Sequence, residues 1–140
     1  MNARTAFCIL AAAIGITCKN ESIAPGTPNA PAPNPTSLVV SLTTPNSDDG
    51  ALLVTIRGPA LATIQSASPD YLVFSNAVSA TEARVIVVGD LQRGSVFTVA
   101  LAGSAALSEY SASVGQVATR ADVLRAETAG YRMTVAAGPN

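Results

Sequence analysis

The sequence predicts an all-β fold, an antiparallel β-sandwich of about eight or nine short strands, and three observations carry that expectation. Two strongly apolar runs, ARVIVV at 83–88 and VFTVAL at 96–101, are rich in the Val, Ile, Thr and Phe that suit a pleated, half-buried surface. From residue 37 onward, turn residues interrupt the chain at the short spacing of a sandwich. Nowhere does an apolar period of 3.6 residues persist long enough for a globular helix.

The elements follow in chain order. Arg4 precedes an uncharged, mostly apolar run, AFCILAAAIGIT at 6–17, that ends at Cys18. The run is shorter than the roughly 20 residues of a spanning helix and suits the h-region of a signal peptide, assigned to 1–17. With Cys18 at its end and polar KNES after it, the segment resembles a bacterial lipoprotein signal, in which a cysteine becomes the lipidated first residue of the mature chain. The resemblance implies a lipid anchor at the bacterial cell envelope, at the outer membrane or cell surface, with no other membrane contact. Ordinary cleavage leaving a secreted protein stays open as the alternative. Cys8 falls inside the removed segment, so the mature domain would hold no disulfide. Residues 18–36 form a linker with five prolines, which cannot build a core and favours polyproline II. At about 3.1 Å per residue it could hold a domain up to roughly 50 Å from its anchor.

The folded domain is assigned to 37–140. SLVVSLT at 37–43 reads as a first strand with Leu38, Val40 and Leu42 on one face. The segment 44–50 is dense in turn residues, and Asp49-Gly50 is a hairpin-type signal. ALLVTIR at 51–57 puts Leu52, Val54 and Ile56 inward and Thr55 and Arg57 outward, and Gly58-Pro59 ends it. Further strands are expected at 61–66 and 71–75, with 76–81 as a loop. Residues 82–101 read as a central hairpin around the Gly-bounded segment 89–94. EYSASVGQV at 109–117 alternates, with Tyr110, Ala112 and Val114 on one face and Gly115 marking a bulge. For 118–129 two readings stand: one helical turn after the capping box Thr119-Arg-Ala-Asp122, or extended chain with Val123 and Leu124 inward. GYRMTV at 130–135 closes the domain with Tyr131, Met133 and Val135 inward and Arg132 and Thr134 outward, before a fraying tail.

The order of an Asp49-Gly50 turn, the aliphatic strand ending at Ile56, the strand GSVFTVAL at 94–101, a strand at 111–117 and a closing GYRMTV resembles the cohesin-like branch of bacterial β-sandwiches. That branch is related in fold to some carbohydrate-binding modules. The resemblance spans 37–136 and implies a nine-strand, jelly-roll-type sandwich with a binding role at a cell surface. It lends no site residues.

Composition excludes several functions. The 140 residues hold 8 Lys and Arg against 9 Asp and Glu, without a basic patch, so nucleic acid is not an expected partner. There is no His, and the mature chain would keep no free thiol, which excludes Ser-His and Cys-His nucleophile systems and His- or Cys-based metal sites. Asp48 and Asp49 are adjacent acids without the one-three-five spacing of a calcium loop, so their expected role is to hydrogen-bond the turn backbone. No cofactor, metal or enzymatic activity is expected. Tyr71 and Tyr131 could stack on a sugar, but both fall at inward positions and read as core. Arg57 and Arg132 are the candidate partner-binding residues, because a guanidinium pairs bidentately with a carboxylate. They would share a polar face with Thr55 and Thr134 if the second and last strands lay in one sheet. The expected function is a non-catalytic binding module that recognises a protein, with a glycan ligand or a structural place in an envelope assembly as alternatives.

For the anchor, N-terminal sequencing of the mature chain should begin at Cys18, and Cys18→Ser should move the protein out of the membrane fraction. Cleavage elsewhere, or an unchanged membrane fraction, would contradict it.

Overall fold

The computed structural model describes residues 34–139. The expected signal peptide (1–17), Cys18 and all of the linker except 34–36 lie outside the described residues. Alternating aliphatic residues bring eight strands together among the described residues: β1 (Ser37–Thr43), β2 (Asp49–Arg57), β3 (Leu61–Ser66), β4 (Leu72–Ser79), β5 (Glu82–Val88), β6 (Gly94–Leu101), β7 (Ser111–Thr119) and β8 (Arg132–Ala137). A single 3₁₀ turn, Leu107–Glu109, precedes β7. The strands form two four-stranded antiparallel sheets, ordered β3-β6-β1-β8 and β4-β5-β2-β7, the arrangement of a β-sandwich.

The core lies where the two inner faces meet. Leu38, Val40 and Leu42 of β1 and Val96, Phe97 and Val99 of β6 come from the first sheet; Leu52, Val54 and Ile56 of β2 and Ala83, Val85 and Val87 of β5 come from the second. All are buried. The period of two that picked out β1, β2 and β8 in sequence is the one that sorts their side chains here. Adjacent Val96 and Phe97 can both be buried because the β1–β6 register shifts between Val40 and Ser41, leaving Val96 as an extra residue. The register of β2 with β7 shifts where Gly115 was expected to mark a bulge.

The expected central hairpin does not form. β5 lies in one sheet and β6 in the other, and the segment between them crosses the end of the sandwich. Leu91, fully buried in that connection, draws it into the core, and the Leu91 amide donates to the Asp49 carbonyl at 3.0 Å. A hairpin loop lying along a sheet edge would leave this leucine in water. The one connection that stays within a sheet joins β4 to β5, in the stretch expected to be a loop. Asn76 and Ala77 look loop-like by composition, yet they pair with Arg84 and Ala83. An edge strand tolerates small polar residues because little packs on it.

Two other corrections concern turns. Asp49-Gly50 is no hairpin turn; it opens β2, and β1 and β2 belong to different sheets. Gly50 is required by close approach, since a Cβ there would sit 2.8 Å from the Arg120 Cα. At the other end of β2, Gly58 has φ 151°, and a Cβ would lie 2.2 Å from the Tyr110 ring, which is buried against it. Residues 120–129 adopt neither the helical turn nor the inward extended form. The Thr119 hydroxyl accepts the cap-like bonds from the Ala121 and Val123 amides, both at 3.3 Å, but Leu124 then bridges back to Ala118. Val123 and Leu124 are exposed, not inward.

Phe97 is the largest of the fully buried side chains. Phe97→Ala should therefore cost about 3–5 kcal/mol and lower the melting temperature by more than about 10 °C, read by circular dichroism. A shift of only a degree or two would contradict the described core.

Candidate functional site

The outer face of the β4-β5-β2-β7 sheet carries the candidate site. Registers across the four strands sort it into rows. Leu72 of β4, Val88 of β5, Ala51 of β2 and Ala118 of β7 form one row. Phe74, Ile86, Leu53 and Gln116 form the next. Then the chemistry changes: Asn76, Arg84, Thr55 and Ser113 make a third row, and Ser79, Glu82, Arg57 and Ser111 a fourth. One half of the face is apolar and the other polar.

The apolar half is solvent-facing. Leu72 is 62% exposed, Phe74 60% and Ile86 45%. Leu124 reaches over from the β7–β8 connection, and with Ala51, Leu53, Ile86 and Ala118 it lines a shallow depression of about 190 Å³. Exposed single apolar side chains are ordinary, but a contiguous group rimmed by polar residues marks an interaction surface. Arg84 stands at the boundary, exposed, and its side chain has no hydrogen-bond or ion-pair partner among the described residues. Beside Phe74 and Ile86 it lines a second open groove.

The position of Leu124 depends on a buried polar knot. The Asp49 carboxylate is fully buried at the start of β2. Thr44 Oγ1 donates to its Oδ2 at 2.5 Å, and Tyr131 OH and Arg125 Nε donate to its Oδ1 at 2.8 and 2.7 Å. Asn46 Nδ2 donates to Tyr131 OH at 2.8 Å, which fixes the phenol's own orientation. Arg125 also grips Asp48 with its second arm. Burial pushes the Asp49 carboxyl up, but the bonds from Thr44, Tyr131 and Arg125, with the charge of Arg125, outweigh it and hold the group below its ordinary 3.8. Burial, reinforced by Asp49 and opposed by Asn46, raises the Tyr131 phenol. Arg125 is thus pinned, the Arg125 amide donates to the Val117 carbonyl at 2.9 Å, and neighbouring Leu124 is held against the sheet.

The structure places the sequence candidates apart. Arg57 lies on the outer face of β2, its Nε donating to Glu82 Oε2 at 2.7 Å. Arg132 lies on β8 in the other sheet, so the shared face with Thr55 and Thr134 does not form. Tyr131 is buried and Tyr71 half-buried, with its hydroxyl accepting from the Gln92 amide at 3.4 Å. The expected role of Asp48 and Asp49, hydrogen-bonding the turn backbone, is not what the structure shows: their carboxylates take side-chain donors, Arg125 for both and Thr44 and Tyr131 for Asp49. Sequence reasoning passed over Leu72, Phe74, Arg84 and Ile86. The signal was present in β5: in VIVV both parities are apolar, so one set had to face outward.

Comparison with protein-family models, with curated proteins and with solved structures finds no match to this chain.

Asp49→Ala removes the acceptor of the Tyr131 hydroxyl proton and one partner of Thr44, both of which keep Asn46, and leaves the Arg125 side chain with Asp48 alone. It should cost about 3 kcal/mol. Because the folded Asp49 pKa is depressed, the unfolded chain takes up the proton first on acidification. Its stabilisation is therefore complete above the ordinary 3.8 and drains away as pH falls through the folded value. Urea denaturation at stepped pH should show the wild type and Asp49→Asn converging in stability below about pH 4. A constant gap down to pH 2 would remove Asp49 from this role.

Proposed function

We propose that this chain is a non-catalytic binding module of the bacterial cell envelope that recognises a protein partner through the outer face of the β4-β5-β2-β7 sheet. The reading includes a lipid anchor at Cys18 and a Pro-rich stalk at 18–36 that lifts the domain from the membrane. The observation that carries it is the half-apolar face: exposed Leu72, Phe74 and Ile86, backed by Leu53 and Leu124, beside the guanidinium of Arg84, which is unpaired among the described residues. Such a surface fits a partner offering apolar side chains for the first two rows and a carboxylate for Arg84. Flatness favours a protein over a small ligand, which is held best in a concave pocket. Among the described residues no three His, Cys, Asp or Glu side chains gather into a metal-holding group.

The jelly-roll, cohesin-like form of the sandwich belongs to the same proposal. Only β4 and β5 are consecutive strands in one sheet; every other connection crosses between sheets, as a jelly-roll-type sandwich demands. Arg57 takes the polar rim of the site, already oriented by Glu82. Arg132, on the other sheet, is outside it.

The full chain, immobilised and exposed to envelope extract, should retain one saturable protein partner. Phe74→Ala and Arg84→Ala should each weaken that binding at least about tenfold, or about 1.4 kcal/mol, with melting temperatures unchanged, while Arg132→Ala leaves it intact. Binding to oligosaccharides alone would overturn the partner class, and incorporation only into a large complex would favour a structural subunit.

A further inference from the structure

The edge strand β4, whose Leu72 and Phe74 also belong to the candidate face, carries an inference argued from its backbone edge. It ends its sheet, so along one side its backbone N–H and C=O groups meet solvent where an inner strand would meet a neighbour. Natural edges are blunted by charge, proline, bulges or covering segments. LVFSNAVS has no charge and no proline, and from Leu72 to Ala77 it pairs with β5 in unbroken register. Its composition is that of a segment prone to add another strand.

The other three edges are each protected. β3 pairs with β6 across a register break between Leu61 and Ile64. β7 has the bulge at Gly115, and its end is covered by the following chain, where the Thr119 amide donates to the Val123 carbonyl and the Arg125 amide to the Val117 carbonyl, both at 2.9 Å. β8 opens on exposed Arg132. β4 also has a register shift against β5, but it falls near the strand's end, between Ala77 and Ser79, and leaves the uncharged run Leu72–Ala77 unbroken.

We infer that β4 pairs antiparallel with β4 of a second copy of this chain, about a two-fold axis perpendicular to the sheet, to give one continuous eight-stranded sheet. The second copy fits because its edge has the same length and the same lack of charge. With Ser75 on the axis, Phe74 faces Asn76 of the second copy, and no like charges are opposed along the strand. The perpendicular axis keeps both outer faces on one side, so the exposed Leu72 and Phe74 lose water contact along the seam. Because β7 is covered at the far end, the assembly closes as a dimer and does not extend into a fibre. Eight residues span about 26 Å. The interface therefore falls below the roughly 1,200 Å² of stable complexes, and the dimer is weak and reversible.

Sedimentation velocity on the full chain from about 1 to about 300 µM should show monomer passing to dimer by mass action. Ser75→Lys adds a charge at an exposed edge position, which also borders the groove beside Phe74 and Arg84, and should stay monomeric with unchanged circular dichroism and melting temperature. Hydrogen exchange on the wild type should gain protection in Leu72–Ser79 as concentration rises, which decides the matter even if the Lys variant fails to fold. A wild type that stays monomeric throughout, a folded Ser75→Lys that dimerises equally, or new protection confined to other segments would overturn the inference.

Discussion

One buried carboxylate fixes an entire end of this sandwich. Asp49 sits where β1 hands over to β2, and three connections converge on it: its side chain takes Thr44 from the β1–β2 loop and Arg125 and Tyr131 from the β7–β8 connection, and its carbonyl takes the Leu91 amide of the β5–β6 crossing. A carboxylate stripped of water is costly unless charged and neutral donors satisfy it. Here an arginine and two hydroxyls do so, which is why Asp49 stays ionised despite its burial. Such a pair contributes less net stability than its Coulomb attraction suggests. Its main effect is geometric, since one residue ties the three connections together through its carboxylate and its carbonyl.

The opposite end of β2 is closed by ring packing and by the Gly58 amide, which donates to the Thr81 carbonyl at 3.0 Å. Tyr110 packs its ring over Gly58, where no side chain could fit, and its buried hydroxyl has no hydrogen-bond partner among the described residues. Almost every connection crosses between sheets, so each end of the barrel-like stack needs a plug. Leu91 and Tyr131 fill one end and Tyr110 the other. The crossing topology thus explains why a Leu and two Tyr outside the strands belong to the core.

Much of this was legible in sequence and some was not, for definable reasons. Strand existence and facing were legible in β1, β2 and β8, because a period of two is a local property of Leu38-Val40-Leu42 or Met133-Val135. Partner choice is non-local, and this defeated the hairpin reading of 82–101. A Gly-bounded loop serves a hairpin and a sheet crossing equally well, and only the lone Leu91 within it distinguished them. Asp49 resisted for a related reason. An Asp-Gly pair is strong turn chemistry, and no local pattern reveals that Arg125 and Tyr131, some 80 residues later, will neutralise it. The candidate face was half legible: the doubly apolar β5 implied outward aliphatics, but their joining with Leu72 and Phe74 required the β4 register.

That face also sets how the domain manages its own surface. With a formal net charge of −1, the chain has little long-range repulsion to oppose association through exposed Leu72, Phe74 and Ile86. Restraint must be local. Two polar rows, Asn76-Arg84-Thr55-Ser113 and Ser79-Glu82-Arg57-Ser111, bound the apolar half on one side, and Gln116 interrupts it on another. The Arg57–Glu82 pair is too exposed to add much stability. Its effect lies elsewhere: it neutralises one cation of the rim and leaves Arg84 as a positive charge bordering the patch that is unpaired among the described residues. In the proposed function, such a surface would disfavour a purely apolar partner, which would strip water from Arg84 without replacing it, and favour one whose carboxylate arrives with its hydrophobic residues. Specificity on a flat and nearly uncharged sheet would then rest on one guanidinium placed two residues along β5 from Ile86.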